Sequence, residues 1–161
     1  MKPMLAAGAA AVAVFLASTT VNAGVDHGSH MQRGSFSAGE PGDAKKPARV
    51  VQVTMTEADG KMLFTPSRIE VAKGEQVQFV LRNGGELDHE FVLGTTAENL
   101  KHADSMKMNA EMKHDDPNAM ALGPEKTGEL LWKFSKTGGF EYACLIPGHR
   151  EAGLIGTITV K

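Results

Sequence analysis

Apolar and polar residues alternate in several short runs after about residue 50. The apolar side chains of these runs stand at positions 51, 53 and 55, at 77, 79 and 81, at 130, 132 and 134, at 140, 142 and 144, and at 158 and 160. A period of two is typical of β-strands that bury one face. Turn-forming residues bound the runs, as at 58–60, 83–85 and 137–139. Many short strands separated by turns predict an all-β fold, a two-sheet Greek-key β-sandwich.

The alternation stops between Thr95 and Gly123. Residues 97–106 are rich in helix formers, and the preceding Thr96 is a residue type that caps helices. We therefore predict a short helical insertion between strands. It is expected to end before the turn that Asp115, Asp116 and Pro117 indicate.

The N-terminus resembles an export signal. A basic start is followed by an apolar run over 6–17 and by small residues at 21–23. We predict that residues 1–23 are a signal peptide that is removed and that the mature protein is periplasmic. A transmembrane anchor is the alternative, but the run is shorter than the roughly 20 apolar residues that span a bilayer. No later segment is apolar enough to span, so no membrane span is expected after processing.

The rest of the chain divides into two parts. Residues 24–47 are rich in Gly, Ser, Lys and Asp and show no apolar period, which predicts a flexible leader. Residues 48–161 have the size of one ordinary domain. The formal net charge is −2, and no basic stripe is visible. Nucleic acid is therefore not an expected partner.

The strongest chemical signal is a loop near the C-terminus that contains the chain's one cysteine. Cys144 stands five residues before His149, with Pro147 and Gly148 bending the segment between them. An exported chain with one cysteine cannot close an internal disulfide, so the thiol is either a liability or functional. His89 is a third candidate ligand, and a sandwich can bring distant loops together at one end. One thiolate and two imidazoles suit copper, although zinc also accepts such a set.

These segments resemble the cupredoxins, in particular the plastocyanin/azurin-like periplasmic branch. The resemblance runs from about residue 50 to residue 161, and the segments that carry it are 79–83, 89–91 and 142–153. It implies that His89, Cys144 and His149 bind one type 1 (blue) copper ion. It also implies that Asn83 ties the two ligand loops together by hydrogen bonds.

One position departs from the family pattern. Where the family usually has an axial methionine, five residues after the second histidine, this chain has Leu154. A hydrocarbon cannot donate to the metal, so we predict a raised reduction potential. The alternatives for a fourth donor are the Asp88 carbonyl, Glu151, or a methionine from the segment 106–120.

Two further groups of residues are candidates for additional, weak Cu(I) sites. The leader and the insertion contribute His27, His30, Met31, Met106, Met108, Met112 and His114. Thioether and imidazole suit Cu(I), and a methionine surface could also dock a redox partner. The alternatives are an unstructured terminus for the leader and ordinary packing for at least half of the methionines.

These observations predict a periplasmic copper protein that acts in one-electron transfer between Cu(II) and Cu(I). The alternative is a copper-handling or copper-resistance protein that buffers periplasmic copper or passes it on. The expected partners are a redox partner protein or copper-transport components, and a monomer is expected. An enzyme is not expected, because the histidines are too scattered for further copper centres and no third residue for a cysteine hydrolase is visible.

Overall fold

The computed structural model describes residues 36–108 and 116–161. Strands dominate them, and one helix interrupts the strands. The strands are β1 Glu40–Pro41, β2 Arg49–Ala58, β3 Lys61–Thr65, β4 Arg68–Val71, β5 Gln76–Asn83, β6 His89–Gly94, β7 Ala119–Leu122, β8 Thr127–Lys133, β9 Gly138–Ala143 and β10 Ile155–Val160. The helix, α1, spans Thr96–Met108 and lies between β6 and β7 in the chain.

The strands form two five-stranded sheets. The first has the order β1-β8-β5-β2-β3 and the second the order β4-β10-β9-β6-β7. The chain changes sheet between β3 and β4, β4 and β5, β5 and β6, β7 and β8, and β8 and β9. The consecutive strands β2 and β3, β6 and β7, and β9 and β10 instead pair within one sheet. The parallel pairs are β2 with β5 and β10 with β4. The predicted all-β sandwich with a short helical insertion is confirmed.

The apolar side chains of the alternating runs fill the space between the sheets. Val53, Met55 and Phe79 have no exposed surface. Aromatic rings link the two sheets, because Phe91 lies between Phe79 and Tyr142 with both centroid distances at 5.1 Å. Burial of this apolar surface is the main term that stabilises the sandwich.

Helix α1 packs on the outer face of the second sheet. Ala103 of the helix is buried with Val92 of β6, Ala143 of β9 and Leu145. The sequence pattern did not indicate this second apolar cluster, since its strand residues stand on the face opposite to the main core. The helix therefore buries part of the strand face that would otherwise meet solvent.

The N-terminal cap of α1 is Thr95 and not the predicted Thr96. The Thr95 hydroxyl accepts the Glu98 backbone N–H at 3.2 Å, and the Glu98 carboxylate accepts the Thr95 backbone N–H at 2.8 Å. This reciprocal pair is a capping box. The Thr96 hydroxyl instead donates to Glu141 at 3.2 Å.

The folded region extends further towards the N-terminus than the predicted boundary at residue 48. Phe36 contacts Trp132 edge to face at a centroid distance of 5.2 Å, and Ala38 is 1% exposed. Strand β1 adds a short edge to β8. The predicted signal peptide, together with His27, His30 and Met31, lies outside the described residues. Within 36–108 and 116–161, no helix has the length and hydropathy that a bilayer crossing requires.

A glycine in β10 provides a test of the packing between β9 and β10. Gly156 pairs with Tyr142, and a Cβ at this position would stand 2.0 Å from the Tyr142 ring. Because Tyr142 is fully buried, the ring cannot move aside without cost. We predict that Gly156→Ala lowers the free energy of unfolding by about 1–3 kcal/mol, measured by denaturant titration.

The matched control is Gly139→Ala. Gly139 pairs with Thr159 between the same two strands, and a Cβ there would have no atom within 4 Å. We expect the control to unfold within about 0.5 kcal/mol of the parent, as uncrowded surface substitutions do. Equal losses in both variants would contradict the packing argument.

Candidate metal centre

Pairing between β6 and β9 brings two of the three candidate ligands together. His89 is the first residue of β6, and Cys144 directly follows β9. The strands are antiparallel, with Val92 opposite Ala143. The start of β6 therefore lies beside the end of β9. His149 joins them from the loop between β9 and β10.

The donor atoms of these three residues converge. His89 Nδ1 lies 3.2 Å from His149 Nδ1, and Cys144 Sγ lies 3.5 Å from His149 Nδ1. One donor atom from each of the three residues lies within 4.8 Å of the others. Metal bonds of about 2.0–2.3 Å to nitrogen and sulfur place donors around one ion about 3.5 Å apart. The cluster therefore fits a type 1 copper site of one thiolate and two imidazoles.

Backbone hydrogen bonds fix the loop that contains Cys144 and His149. The Cys144 N–H donates to the Leu154 carbonyl, and the Leu154 N–H donates to the His149 carbonyl, both at 3.1 Å. Gly148 turns the chain at a φ of 90°, a conformation that favours glycine. Leu154 is thus bound to both ligand residues and is fully buried. Of the alternative donors, Glu151 is an exposed residue.

Burial controls the chemistry of the thiol. Cys144 has no exposed surface, and this desolvation raises the pKa of its thiol to about 12. Backbone N–H groups of Glu90 and Ile146 point at the sulfur and oppose the rise, while the Glu90 carboxylate adds to it. A thiol of this kind ionises when a cation replaces its proton. Burial therefore keeps the free thiol protonated and inert, and formation of the thiolate requires a bound cation.

His89 is held by a hydrogen bond on the side away from the cluster. Its Nε2 donates to Glu57 Oε1 at 2.7 Å, and the ring is fully buried. A proton on Nε2 leaves the Nδ1 lone pair free to face Cys144 and His149. A partner of this kind fixes both the tautomer and the orientation of a ligating imidazole.

Glu57 is a residue of the site that the sequence analysis missed. Its carboxylate also accepts the backbone N–H groups of Glu86 at 3.0 Å and Leu87 at 3.1 Å. Desolvation opposes ionisation, but these hydrogen bonds outweigh it and lower the pKa of Glu57. A signal was present in the sequence, because Glu57 continues the inward-facing series of Val53 and Met55 and is acidic where an apolar residue is expected.

His149 is the most exposed of the three candidate ligands. It is half-buried, whereas His89 and Cys144 are fully buried. Desolvation, and secondly the nearby His89 ring, lower the pKa of His149. The ring is therefore neutral at physiological pH and has a lone pair available for a metal.

Asn83 binds a different pair of segments from the pair implied by the family resemblance. Its Nδ2 donates to the Leu87 carbonyl at 2.7 Å and to the Leu122 carbonyl at 2.9 Å, and its Oδ1 accepts the Gly85 N–H. These bonds tie the loop before His89 to the end of β7. None of these bonds reaches the loop of Cys144. Asn83 therefore shapes the His89 side of the site.

A buried ion pair supports the His149 side. Arg150 directly follows His149, and its Nη2 donates to Glu141 Oε2 at 2.9 Å while its Nε donates to Oε1 at 3.3 Å. Asn99 of α1 donates to the same carboxylate at 3.2 Å. The ion pair links the ligand loop to β9 and the helix. The sequence pattern does not predict this ion pair, because Glu141 is buried by a helix whose docking face the alternation does not reveal.

The candidate residues for secondary copper sites differ in how far they are exposed to solvent. Met106 is 4% exposed on the packed side of α1, which favours the packing interpretation. Met120, a further methionine of the segment 106–120, also packs against the core. Met108 is 84% exposed. The remaining candidates, His27, His30, Met31, Met112 and His114, lie outside the described residues.

Comparison with known proteins identifies several copper proteins. Residues 51–161 match the family described as copper binding proteins, plastocyanin/azurin family. The chain is 45% identical over 154 residues to the copper-resistant cuproprotein CopI of Rubrivivax gelatinosus, and the match covers 92% of each chain. It is 37% identical over 135 residues to the CopI protein of Vibrio cholerae, covering 83% of this chain and 79% of that protein.

A solved structure supports the same fold. Auracyanin B superposes with a TM-score of 0.61 and 24% identity, covering 77% of this chain and 96% of that chain. At this level of identity the likeness shows the fold alone.

The ion pair beside His149 generates a prediction about stability. Arg150→Met leaves the Glu141 carboxylate, whose side chain is 7% exposed, buried without its counter-charge. Loss of one partner from a buried ion pair costs about 3–5 kcal/mol. We expect the lower end of this range, since the bonds from Asn99 and Thr96 remain. Denaturant unfolding of the metal-free protein measures the loss.

Lys161→Met is the matched control for Arg150→Met. Lys161 pairs with Glu70 at 2.9 Å, but the two side chains are 66% and 73% exposed. Exposed pairs contribute about 0–1 kcal/mol. A loss in Arg150→Met no larger than in this control would show that the buried pair does not stabilise the ligand loop.

Proposed function

Because this chain belongs to the plastocyanin/azurin family of copper-binding proteins, we propose that it is a type 1 copper protein that acts in one-electron transfer. His89, Cys144 and His149 hold the ion. The observation that supports this assignment best is the convergence of their three donor atoms within 4.8 Å. Copper in such a site supplies a reversible Cu(II)/Cu(I) couple.

The protein's own contribution is to keep the ligands in place. His89 is fixed by Glu57 and by complete burial. The Cys144 and His149 loop is fixed by its backbone bonds to Leu154. Ligands that cannot relax give a geometry that suits both oxidation states, which favours fast electron exchange. The half-buried His149 is the natural point of contact for a redox partner protein, the expected partner of a carrier.

Copper handling is the second candidate function. The relatives in Rubrivivax gelatinosus and Vibrio cholerae are named copper-resistant cuproproteins, and they match most of this chain. Within the described residues, Met108 offers an exposed thioether of the kind that binds Cu(I). A role in periplasmic copper tolerance is compatible with the same centre. The predicted signal peptide, residues 1–23, agrees with export to that compartment.

We propose no role for Cys144 as a catalytic nucleophile. Cys144 has no exposed surface, so a substrate cannot reach its sulfur. Among residues 36–108 and 116–161, His89, Cys144 and His149 make up the one cluster of at least three potential ligands drawn from His, Cys, Asp and Glu.

Replacement of the cysteine tests the copper assignment. The Cu(II)-loaded protein is expected to show an intense visible band from thiolate-to-copper charge transfer. Cys144→Ser removes the thiolate and is expected to abolish this band. His102→Ala changes a histidine of α1 outside the cluster and is expected to retain it. A parent protein without the band, or a band that persists in Cys144→Ser, would refute the type 1 site.

Titration of the parent protein and of Cys144→Ser with Cu(I) distinguishes the two candidate functions by the number of Cu(I) equivalents bound. One tight equivalent that is lost in Cys144→Ser supports a carrier. Additional equivalents that survive Cys144→Ser support copper handling.

Leu154 generates a prediction about the reduction potential. A buried hydrocarbon beside the ion disfavours the more highly charged Cu(II), which raises the potential. Leu154→Met restores a thioether and is expected to lower the potential. Each tenfold change in the preference for Cu(II) over Cu(I) corresponds to about 59 mV. Redox titration followed by the visible band measures the shift.

Leu130→Met is the control for Leu154→Met. Leu130 is a buried leucine in the middle of β8 and takes no part in the cluster. The control is expected to leave the potential unchanged. An unchanged potential in Leu154→Met would mean that Leu154 does not occupy the axial position.

A further inference from the structure

We propose that Glu57 is a positioning residue of the copper centre, whose carboxylate accepts the Nε2 proton of His89 and strengthens that imidazole as a donor to Cu(II). The inference rests on the proposed function, because it takes His89 Nδ1 as a copper ligand. It adds to the three metal ligands a residue that adjusts the reduction potential of the copper ion.

The geometry of the pair supports a direct effect on the ligand. The distance from His89 Nε2 to Glu57 Oε1 is 2.7 Å, which is a short charge-assisted hydrogen bond. The His89 ring is fully buried, and Nδ1 points at His149. The two nitrogens of one ring therefore face the cluster and the carboxylate. Negative charge at Nε2 increases electron density at Nδ1, since both belong to one conjugated ring.

The surroundings of Glu57 hold the carboxylate in this place. Backbone N–H groups of Glu86 and Leu87 donate to its two oxygens, so His89 is one of three donors. Gly85 makes the close approach possible, because a Cβ there would stand 2.0 Å from Glu57 Oε2. The side chain is 23% exposed. The Glu57 carboxylate is therefore held by three hydrogen-bond donors and needs a glycine at position 85. These constraints distinguish its contact with His89 from an ordinary exposed ion pair.

The carboxylate and Leu154 act on the potential in opposite directions. A fixed negative charge stabilises the more positive ion more strongly, so Glu57 favours Cu(II) over Cu(I). Leu154 supplies no electrons and favours Cu(I). The two effects on the reduction potential therefore partly cancel. Removing Glu57 alone should leave the full effect of Leu154.

The decisive variant is Glu57→Gln in the full chain. The amide oxygen can still accept a hydrogen bond, but the charge is lost. Loss of such a partner typically weakens metal binding by about 10- to 100-fold. We expect the loss to fall mainly on Cu(II), with a higher reduction potential and altered copper hyperfine coupling in the electron-spin-resonance spectrum. A tenfold selective loss corresponds to a rise of about 59 mV.

Glu75→Gln is the matched control. The Glu75 side chain is 25% exposed, and its carboxylate accepts the Ala72 backbone N–H and the Arg49 guanidinium. Glu75 directly precedes the first residue of β5. The metal centre lies near the opposite end of that strand, at Asn83. The same chemical change is therefore made far from the ligands. We expect an unchanged potential and an unchanged spectrum.

Two further measurements separate positioning from general stability. Gly85→Ala leaves Glu57 intact but displaces its carboxylate, and is expected to raise the potential as Glu57→Gln does. In the diamagnetic Cu(I) protein, nuclear magnetic resonance should detect a slowly exchanging proton on His89 Nε2. This signal should shift in Glu57→Gln and remain in Glu75→Gln.

The outcomes distinguish this inference from the proposed function. If the parent protein shows the thiolate-to-copper band but Glu57→Gln and Gly85→Ala keep the parent potential, the role of Glu57 is refuted and the copper site stands. If the parent lacks the band, the proposed function fails and the inference fails with it. Should Glu57→Gln not fold, Gly85→Ala and the parent's Nε2 proton signal decide the matter.

Discussion

The antiparallel pairing of β6 with β9 is the contact on which the metal centre depends. It sets the first residue of β6 beside the residue that follows β9, and so places His89 next to Cys144 across a long stretch of sequence. A shift of this register by one residue would turn one donor towards α1 and away from the other. Contact between Phe91 of β6 and Tyr142 of β9 helps to fix this register, because their rings stack at a centroid distance of 5.1 Å.

The sequence could predict the strands and the ligand types because each has a local signature. Alternation gave the inward positions of β2 and β5, and a loop with Cys144 and His149 in a Pro-Gly bend indicated a soft metal. The start of the helix was harder to predict, since Thr95 and Thr96 are both suitable caps. The choice depends on which of them exchanges hydrogen bonds with Glu98, and the structure shows that it is Thr95. The early start of the fold at Phe36 was missed because its partner, Trp132, is distant in sequence.

The polar supports of the site could not be predicted, because they depend on tertiary contacts between residues of unlike patterns. Glu57 is an acidic residue in a strand, where an exposed side chain is the usual expectation. Its place in the alternation indicates an inward side chain, but only the fold shows that it contacts His89. Glu141 stands on the outer face of β9, where solvent exposure is the default, and only the docking of α1 buries it. Asn83 was identified as a tie between loops, but the segment that it reaches depends on where β7 ends.

The two carboxylates beside the histidines serve different physical purposes. Glu141 faces the guanidinium of Arg150, so its charge is neutralised locally and the pair acts as a mechanical anchor for the His149 loop. Glu57 instead contacts the His89 imidazole and the backbone N–H groups of Glu86 and Leu87, and no arginine or lysine is among these three partners. A cation bound at Nδ1 would stand on the side of the imidazole ring opposite to this carboxylate. The protein thus supports one histidine mechanically and the other electrostatically, and the electrostatic support falls on the ligand that solvent cannot reach.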